Sequence, residues 1–399
     1  MTEHGDRVTA EREGVDCSPR PERVGILEIG SQTTTLALFR TGTGGLRRTE
    51  QMRVALPLVR HLSSEGELAP EAVSKIARVV GKLGRYARRR GWRRLKCVAT
   101  SAVRDAVNAL DVVAEVVARS GLILEILDGR AEGEAAGLAV TNTLPVRDGC
   151  FFDLGGGSLQ LGRLRAGRCH RVESLPLGAL RMAVQHLGHH PPGPAELGAL
   201  EDRVAAALAE HRWVRGARQL VGVGGTIRAL AKVDRLANGW PIRHSHGYWL
   251  SADAVREGVQ RLVALSPKER ASLGVPRHRV NSILAGGLII RAILLAGGFE
   301  GVRVCGFGVR YGVAHQLMGV RAPEQAHRGA AEWRLAVTLA DQLRGSGRAT
   351  TDRLLGKPLS GWYQEEALAA AALLGNEDAA RAMDRMDVLA GWRRARLSH

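Results

Sequence analysis

Aromatic side chains make up only 4% of the 399 residues, so the cores must be built from Ala, Val, Leu and Ile. Cysteines are few and odd in number: Cys17, Cys97, Cys150, Cys169 and Cys305, widely spaced and without a Cys-x-x-Cys pair. That pattern argues against a disulfide framework or a structural zinc site and fits a reducing cytoplasm. Cys97, Cys150 and Cys305 lie on or beside apolar strands and read as small core hydrophobes. No apolar run approaches the ~18 residues of a membrane-spanning helix, so none is expected. The first 22 residues are polar and charged throughout; they read as a disordered arm, not a secretory signal, and a cytoplasmic location is expected.

Positive charge is abundant. Lys and Arg number 57 against 40 Asp and Glu, a formal net charge of +17. Such a field attracts polyanions, whether nucleic acid, anionic membrane or a phosphate polymer. The densest cluster, Arg85-Tyr86-Ala87-Arg88-Arg89-Arg90-Gly91-Trp92-Arg93-Arg94-Leu95-Lys96, reads either as a binding patch or as the solvated end of a helix. The excess of Arg over Lys favours a compositional origin. No nucleic-acid motif accompanies the charge, so only a sequence-blind, salt-dependent contact with nucleic acid is expected.

Strands and helices alternate along the chain, which argues an α/β fold. Strands are expected at 24–28, 34–40 and 47–55, and a helix over 70–90 with Val73, Ile76, Val79, Val80 and Leu83 at helical spacing. A short strand at 95–99 leads, through Thr100 or Ser101 as cap, into a helix expected to run to about 118. A strand at 122–127 precedes a helix from about 130. From 149 the opening pattern repeats, followed by helices near 179–186 and 194–211, a strand at 219–223 and a helix at 227–233. The series closes with a helix at 281–295, a strand at 302–305 and a helix at 308–318. The remainder, 321–399, is Ala/Arg/Leu-rich and reads as a helical C-terminal extension.

Two segments are copies of one device at an offset of 125 positions: Ile26-Leu27-Glu28-Ile29-Gly30-Ser31-Gln32-Thr33-Thr34-Thr35-Leu36 and Phe151-Phe152-Asp153-Leu154-Gly155-Gly156-Gly157-Ser158-Leu159-Gln160-Leu161. Each is an apolar strand with one carboxylate, a tight Gly/Ser turn and a second strand. Backbone amides and small hydroxyls at Gly30, Ser31 and Gln32, and at Gly155, Gly156, Gly157 and Ser158, would surround an anion, with Glu28 or Asp153 near to hold a cation or water. Both turns lack the Gly-Lys-Ser/Thr of a P-loop and lead into strands, unlike dinucleotide fingerprints. Gly224, Gly225 and Thr226 stand between a strand and a helix, so they read as a helix N-terminal phosphate site or as a structural turn. Glu132, in a first helical turn, reads as a complement to the helix dipole or as a base activating water. Arg104 reads as a surface residue or as a balance for phosphate charge.

These motifs resemble the exopolyphosphatase/guanosine pentaphosphate phosphohydrolase (Ppx/GppA) family. The segments carrying the resemblance are Leu27-Glu28-Ile29-Gly30-Ser31, Ala99-Thr100-Ser101-Ala102-Val103-Arg104-Asp105-Ala106-Val107-Asn108, Leu127-Asp128-Gly129-Arg130-Ala131-Glu132, Asp153-Leu154-Gly155-Gly156-Gly157-Ser158, Leu175-Pro176-Leu177-Gly178-Ala179, Val223-Gly224-Gly225-Thr226 and Gly308-Val309-Arg310-Tyr311-Gly312. They follow family order over about 24–318. The resemblance implies two RNase H-like domains of the actin-like ATPase superfamily around a cleft. It places the first at 23–145 and the second at 146–320, whose last helix packs back on the first. It also implies magnesium-assisted release of terminal phosphate from polyphosphate or guanosine pentaphosphate, and is compatible with a homodimer. Glu132 matches the water-activating glutamate and, with Asp153 and Arg104, makes up the expected catalytic set; Arg104 matches a position that surrounds phosphate. Asp153, joined by Glu28, matches the magnesium or water partner, and the loop residues named above match phosphate-binding positions.

The departures are Glu28 for the usual Asp, Ala131 and Gln160 for Glu, Asn281 for Asp and Tyr311 for Glu. Four of them remove carboxylates, which is expected to make the cleft more welcoming to a polyanion. The expected activity is exopolyphosphatase. The alternatives are a guanosine pentaphosphate phosphohydrolase, or a regulator that binds such ligands without turnover.

Overall fold

Val24, Ile26, Leu27 and Ile29 alternate too little to leave one face of their strand wet, and all four are buried. Such a strand belongs at the centre of a sheet covered on both faces. That strand, β1 (Arg23–Ile29), pairs antiparallel with β2 (Thr33–Gly42), which pairs antiparallel with β3 (Gly45–Ala55). After α1 (Pro70–Arg89), β4 (Arg94–Ala99) joins the other side of β1 in parallel. Two helices follow, α2 (Ser101–Arg104) and α3 (Ala109–Ser120), before β5 (Leu124–Ile126) joins β4 and α4 (Gly129–Thr143) leaves the sheet. The order is β3-β2-β1-β4-β5.

The second half repeats this plan. β6 (Gly149–Leu154), β7 (Leu159–Arg165) and β8 (Arg168–Leu175) form the antiparallel meander, and α5 (Ala179–His186) and α6 (Pro194–Ala209) follow. β9 (Leu220–Gly224) then pairs in parallel with β6 and leads into α7 (Gly225–Ala237). β10 (Trp249–Ser251), α8 (Ala252–Ala264), α9 (Pro267–Ser272), α10 (Ile283–Gly297), β11 (Gly301–Val304) and α11 (Val309–Leu317) complete the order. β8-β7-β6-β9-β11 reproduces the first sheet, with β10 added antiparallel at the edge. Two mixed sheets of this topology are the RNase H-like pair of the actin-like ATPase superfamily. The computed structural model describes residues 22–42, 45–188, 190–238 and 244–319; most of the N-terminal arm (1–21) and the extension expected over 321–399 lie outside them.

The layers follow the three apolar clusters. One joins the first sheet to α1 and α3, and another joins the second sheet to α5, α6, α7, α8 and α10. The third lies between the sheets around α4 and α11. α11 packs on α4 and β1, and Gly312 lies so close to Ala135 that a Cβ there would strike its backbone. Among the described residues no helix is long and apolar enough to cross a membrane.

The expected helix from 101 to about 118 is broken at 105–108. Asn108 takes the chain out of the helix by pairing with the backbone of Leu68, its Oδ1 accepting from the amide and its Nδ2 donating to the carbonyl, both at 2.9 Å. Val107 N–H donates to Gly66 O nearby. Thr100 precedes α2 but makes no side-chain cap. The dense Arg segment falls on the end of α1 and on β4, where Arg88 donates to the Ser120 carbonyl and Arg90 lies over the Tyr86 ring.

Candidate active site

The twin turns are the same turn. Gly30 N–H donates to Thr33 O and Gly155 N–H to Ser158 O, both at 3.0 Å, so the copies close with the same hydrogen bond at matching positions. They also meet: a Cβ on Gly156 would lie 3.0 Å from the Gln32 and Ser31 side chains, and one on Gly157 would lie 2.5 Å from Ser101 Oγ. Only glycine permits this approach. The carbonyls of Gly155 and Gly156 accept from the first amides of α5. Peptide planarity therefore turns the amides of Gly156 and Gly157 the opposite way. Ser31 Oγ and Ser101 Oγ are 2.9 Å apart, and Gln32 Nε2 donates to Ser282 Oγ at 2.9 Å, which ties the first turn to the second lobe.

Beside the turns lies a cleft lined by Glu28, Gly30, Ser31, Gln32, Glu132, Asp153, Gly155, Gly156, Gly224 and Gly225, with Arg53, Arg228, Arg279 and Arg310. Gly224, at φ 106°, turns the chain beneath Leu154 into the N-terminus of α7. Arg279 crosses directly over Gly225, where any Cβ would displace its guanidinium.

Glu132 reaches the cleft from the first turn of α4, which Asp128 caps by accepting from Ala131 N–H at 2.7 Å. The side chain is almost wholly buried, and one oxygen, Oε2, accepts from Arg104 Nη1 at 2.8 Å and from Gln160 Nε2 at 3.1 Å. Burial pushes the Glu132 carboxyl up to about 8; the hydrogen bond and charge of Arg104 pull it back, while Asp153 and Glu28 push it further. Gln160 is itself fully buried, and the two hydrogens of its Nε2 are shared among Glu132 Oε2, Ser158 Oγ at 2.9 Å and Ser174 Oγ at 3.0 Å.

Burial, reinforced by the charge of Glu28, raises Asp153 to about 6 despite Arg228, Arg310 and Arg279 nearby. Glu28 forms an ion pair with Arg310. The arginines load the site with like charge: burial first, then their neighbours, brings Arg228 down to about 10 and Arg279 to about 9. A second cavity continues from the cleft, sharing Arg53, Arg228, Arg279 and Arg310 and adding Arg48, Lys232, His278 and Phe307.

Among the described residues no three His, Cys, Asp or Glu side chains come close enough to form a metal cage. Asp153 and Glu28 nonetheless line the same cleft, with Glu28 also paired to Arg310. Two carboxylates suit magnesium, which keeps several waters and takes its other oxygens from phosphate.

The structure thus gathers Glu28, Gly30, Ser31, Gln32, Glu132, Asp153, Gly155, Gly156, Gly224 and Gly225 on one cleft. Gly157 lies within the contact between the turns. Three other candidates stand back from the cleft wall. Arg104 spends its guanidinium on Glu132, Asp105 and the Leu127 carbonyl. The Ser158 hydroxyl faces Gln160, and buried Thr226 packs towards Gly286 of α10. Asn281 lies at the mouth of a different cavity, and Tyr311 is buried with its hydroxyl on the Leu46 carbonyl. Neither residue lines the cleft. Its positive field comes from Arg53, Arg228, Arg279 and Arg310, which lie outside the Gly-rich motifs and gave no local signal apart from Arg310, in the last segment of the resemblance.

The Ppx/GppA phosphatase family model matches residues 39–320. Exopolyphosphatase 1 of Mycobacterium tuberculosis is 30% identical over 302 residues, covering 73% of this chain and 87% of the relative. Exopolyphosphatase 2 of the same organism is 25% identical over 318 residues, covering 74% and 99%. Among solved structures, the Aquifex aeolicus member of the Ppx/GppA family aligns with a TM-score of 0.65 at 25% identity, over 77% of this chain and 99% of that one. An exopolyphosphatase from Cytophaga hutchinsonii shares the fold, with a TM-score of 0.70 at 20% identity over 75% and 99%.

Proposed function

The chain belongs to the Ppx/GppA phosphatase family, and on that footing we propose that it is a cytoplasmic exopolyphosphatase, releasing the terminal phosphate of inorganic polyphosphate with the help of magnesium. The observation that carries this reading is the meeting of the two turns beside a buried glutamate, on a cleft that runs on into an arginine-lined groove.

The terminal phosphate sits against the turns, where the amides of Gly156 and Gly157 and the Ser31 hydroxyl hold its oxygens. Glu132 orients a water for attack on phosphorus and takes its proton. A carboxylate poised near 8 is a stronger base than an exposed one, and Arg104 and Gln160 keep its ionised form accessible. Arg228, Arg279 and Arg310 offset the charge that gathers on the leaving oxygen. Magnesium, held by Asp153 and Glu28, would supply further charge neutralisation on the phosphates.

A polymer suits the groove, since its basic residues continue past the cleft and a chain of phosphates carries charge along its length. Phe307 and His278 on the same wall favour guanosine pentaphosphate as the second reading, because their rings offer a surface for a base. The test compares phosphate release and binding on both compounds with magnesium. Release from polyphosphate that Glu132→Ala abolishes, with binding and fold retained, is the expected result. Unchanged release in that variant defeats the role of Glu132, and binding without release makes the protein a regulator.

A further inference from the structure

Arg270, on α9, is a buried cation that the phosphate chemistry leaves unused; it lines neither the cleft nor the cavity that continues it. Burial lowers its guanidinium from the ordinary value, with no carboxylate pulling the other way. A buried charge without a counter-ion is costly unless its N–H groups are answered. Here they are answered by backbone carbonyls. Nε and Nη2 donate to Leu262 O at 3.1 and 2.9 Å, and Nη1 donates to Val280 O at 3.0 Å. Leu262 is in the last turn of α8, where carbonyls have no helical partner. Val280 directly follows Arg279. One planar guanidinium thus links the end of α8 to the segment that carries an arginine of the cleft.

That segment has little core of its own. Between buried Val275 and buried Ser282 every side chain is exposed or half-buried. Its ends are fixed: Val275 N–H donates to Arg270 O at 3.3 Å, and Ser282 N–H donates to Arg279 O at 2.9 Å as the chain enters α10. Its middle sends Arg279 inward over Gly225. Burial and the like charges of Arg228, Arg53 and Arg310 all act against a guanidinium in that place, and the pull of Asp153 is weaker. A side chain so placed relaxes towards water unless its backbone is gripped. Resting on the reading that Arg279 meets the phosphates of the substrate, we propose that Arg270 is a positioning residue: by gripping the Val280 carbonyl it holds Arg279 over Gly225. The anion-binding geometry of the cleft is thereby set in part from α9, outside it.

The test uses the full chain. Arg270→Lys keeps the buried charge, but one ammonium cannot serve two carbonyls that bond different edges of a guanidinium. It is expected to weaken polyphosphate binding, read by titration calorimetry, by about tenfold, the size of one lost charge-assisted hydrogen bond. In the Arg279→Ala background the same change is expected to cost no more than about twofold, because the residue it positions is gone. Equal factors in both backgrounds mean a merely structural Arg270, and wild-type affinity in Arg270→Lys means that only its charge matters; either overturns the proposal. The Arg279 guanidinium is followed without ligand by ¹⁵N NMR, its Nε–H signal assigned by its loss in Arg279→Ala. Exchange of that proton with water is expected to quicken about tenfold in Arg270→Lys as the group leaves its buried place; unchanged exchange overturns the proposal. Should Arg270→Lys not fold, Arg270→Gln takes its place in both measurements, with the same outcomes in the two backgrounds. If the wild type binds no polyphosphate, the functional reading fails and the exchange rates alone decide: quickened exchange supports the positioning, and unchanged exchange overturns it.

Discussion

Replacing Gln160 by leucine isolates the electrostatic support of the base. The side chain is fully buried, and its amide is one of two donors on Glu132 Oε2, at 3.1 Å. A hydrogen bond to a charged group contributes roughly 1.5–3 kcal/mol. At about 1.4 kcal/mol per unit, losing it raises the titration midpoint of the carboxyl by about one to two units. Glu132 starts at about 8. At pH 7 such a group is roughly one-tenth ionised, and after the shift between about a hundredth and a thousandth. Phosphate release at pH 7 should therefore fall roughly ten- to hundredfold. As pH rises towards 10 the variant should recover, because the ionised base is then populated again. The assay is initial rate of phosphate release from polyphosphate across pH 6–10, with folding checked by circular dichroism. A loss that is the same at every pH would refute the reasoning, since it would mean that Gln160 supports geometry and not ionisation.

Five further outcomes follow from the same geometry. Wild-type release should climb through pH 8, because the base is active only when ionised. The folded midpoint of Glu132 lies above the ordinary 4.5, so the folded state binds the extra proton and stability falls as pH rises between 4.5 and about 8. Glu132→Gln removes that burden and should stabilise the protein at pH 7 by on the order of 3 kcal/mol, with little effect at pH 4, measured by denaturant titration. Arg279→Ala should weaken polyphosphate binding and flatten its salt dependence, read by titration at several salt concentrations; an unchanged slope would remove Arg279 from the anion path. Gly157→Ala should abolish phosphate binding, because its methyl would collide with Ser31 and Ser101 hydroxyls; retained affinity would show that the turns do not need to touch. Chelation of magnesium should stop release and leave binding measurable.

Much of the fold was legible because its strands are short apolar runs and its turns are glycine-rich. The repeated Gly30 and Gly155 turns are legible as a pair, and both line the cleft. What escaped was of two kinds. β8 carries charged and polar residues along an exposed sheet edge, so it offers no apolar run. α9 begins with a capping box, Ser266 and Glu269 satisfying one another's amides, a signal present in the sequence but outside the motifs that drew attention. The arginines of the cleft could not be found locally. Arg53, Arg228, Arg279 and Arg310 converge from β3, α7, the segment before α10, and α11, and only the return of α11 to β1 brings Arg310 to Glu28.

That return has a consequence for how the protein is made. Glu28 and Arg310 are 282 residues apart in the chain. At ~5–20 residues per second of synthesis, the first carboxylate waits roughly 15–60 seconds on the ribosome before its partner exists. Through that interval the nascent first lobe exposes the flank of β1 that α11 will cover. A chain truncated before α11 should accordingly need chaperone shelter, and should gather no working pocket even with both turns already translated.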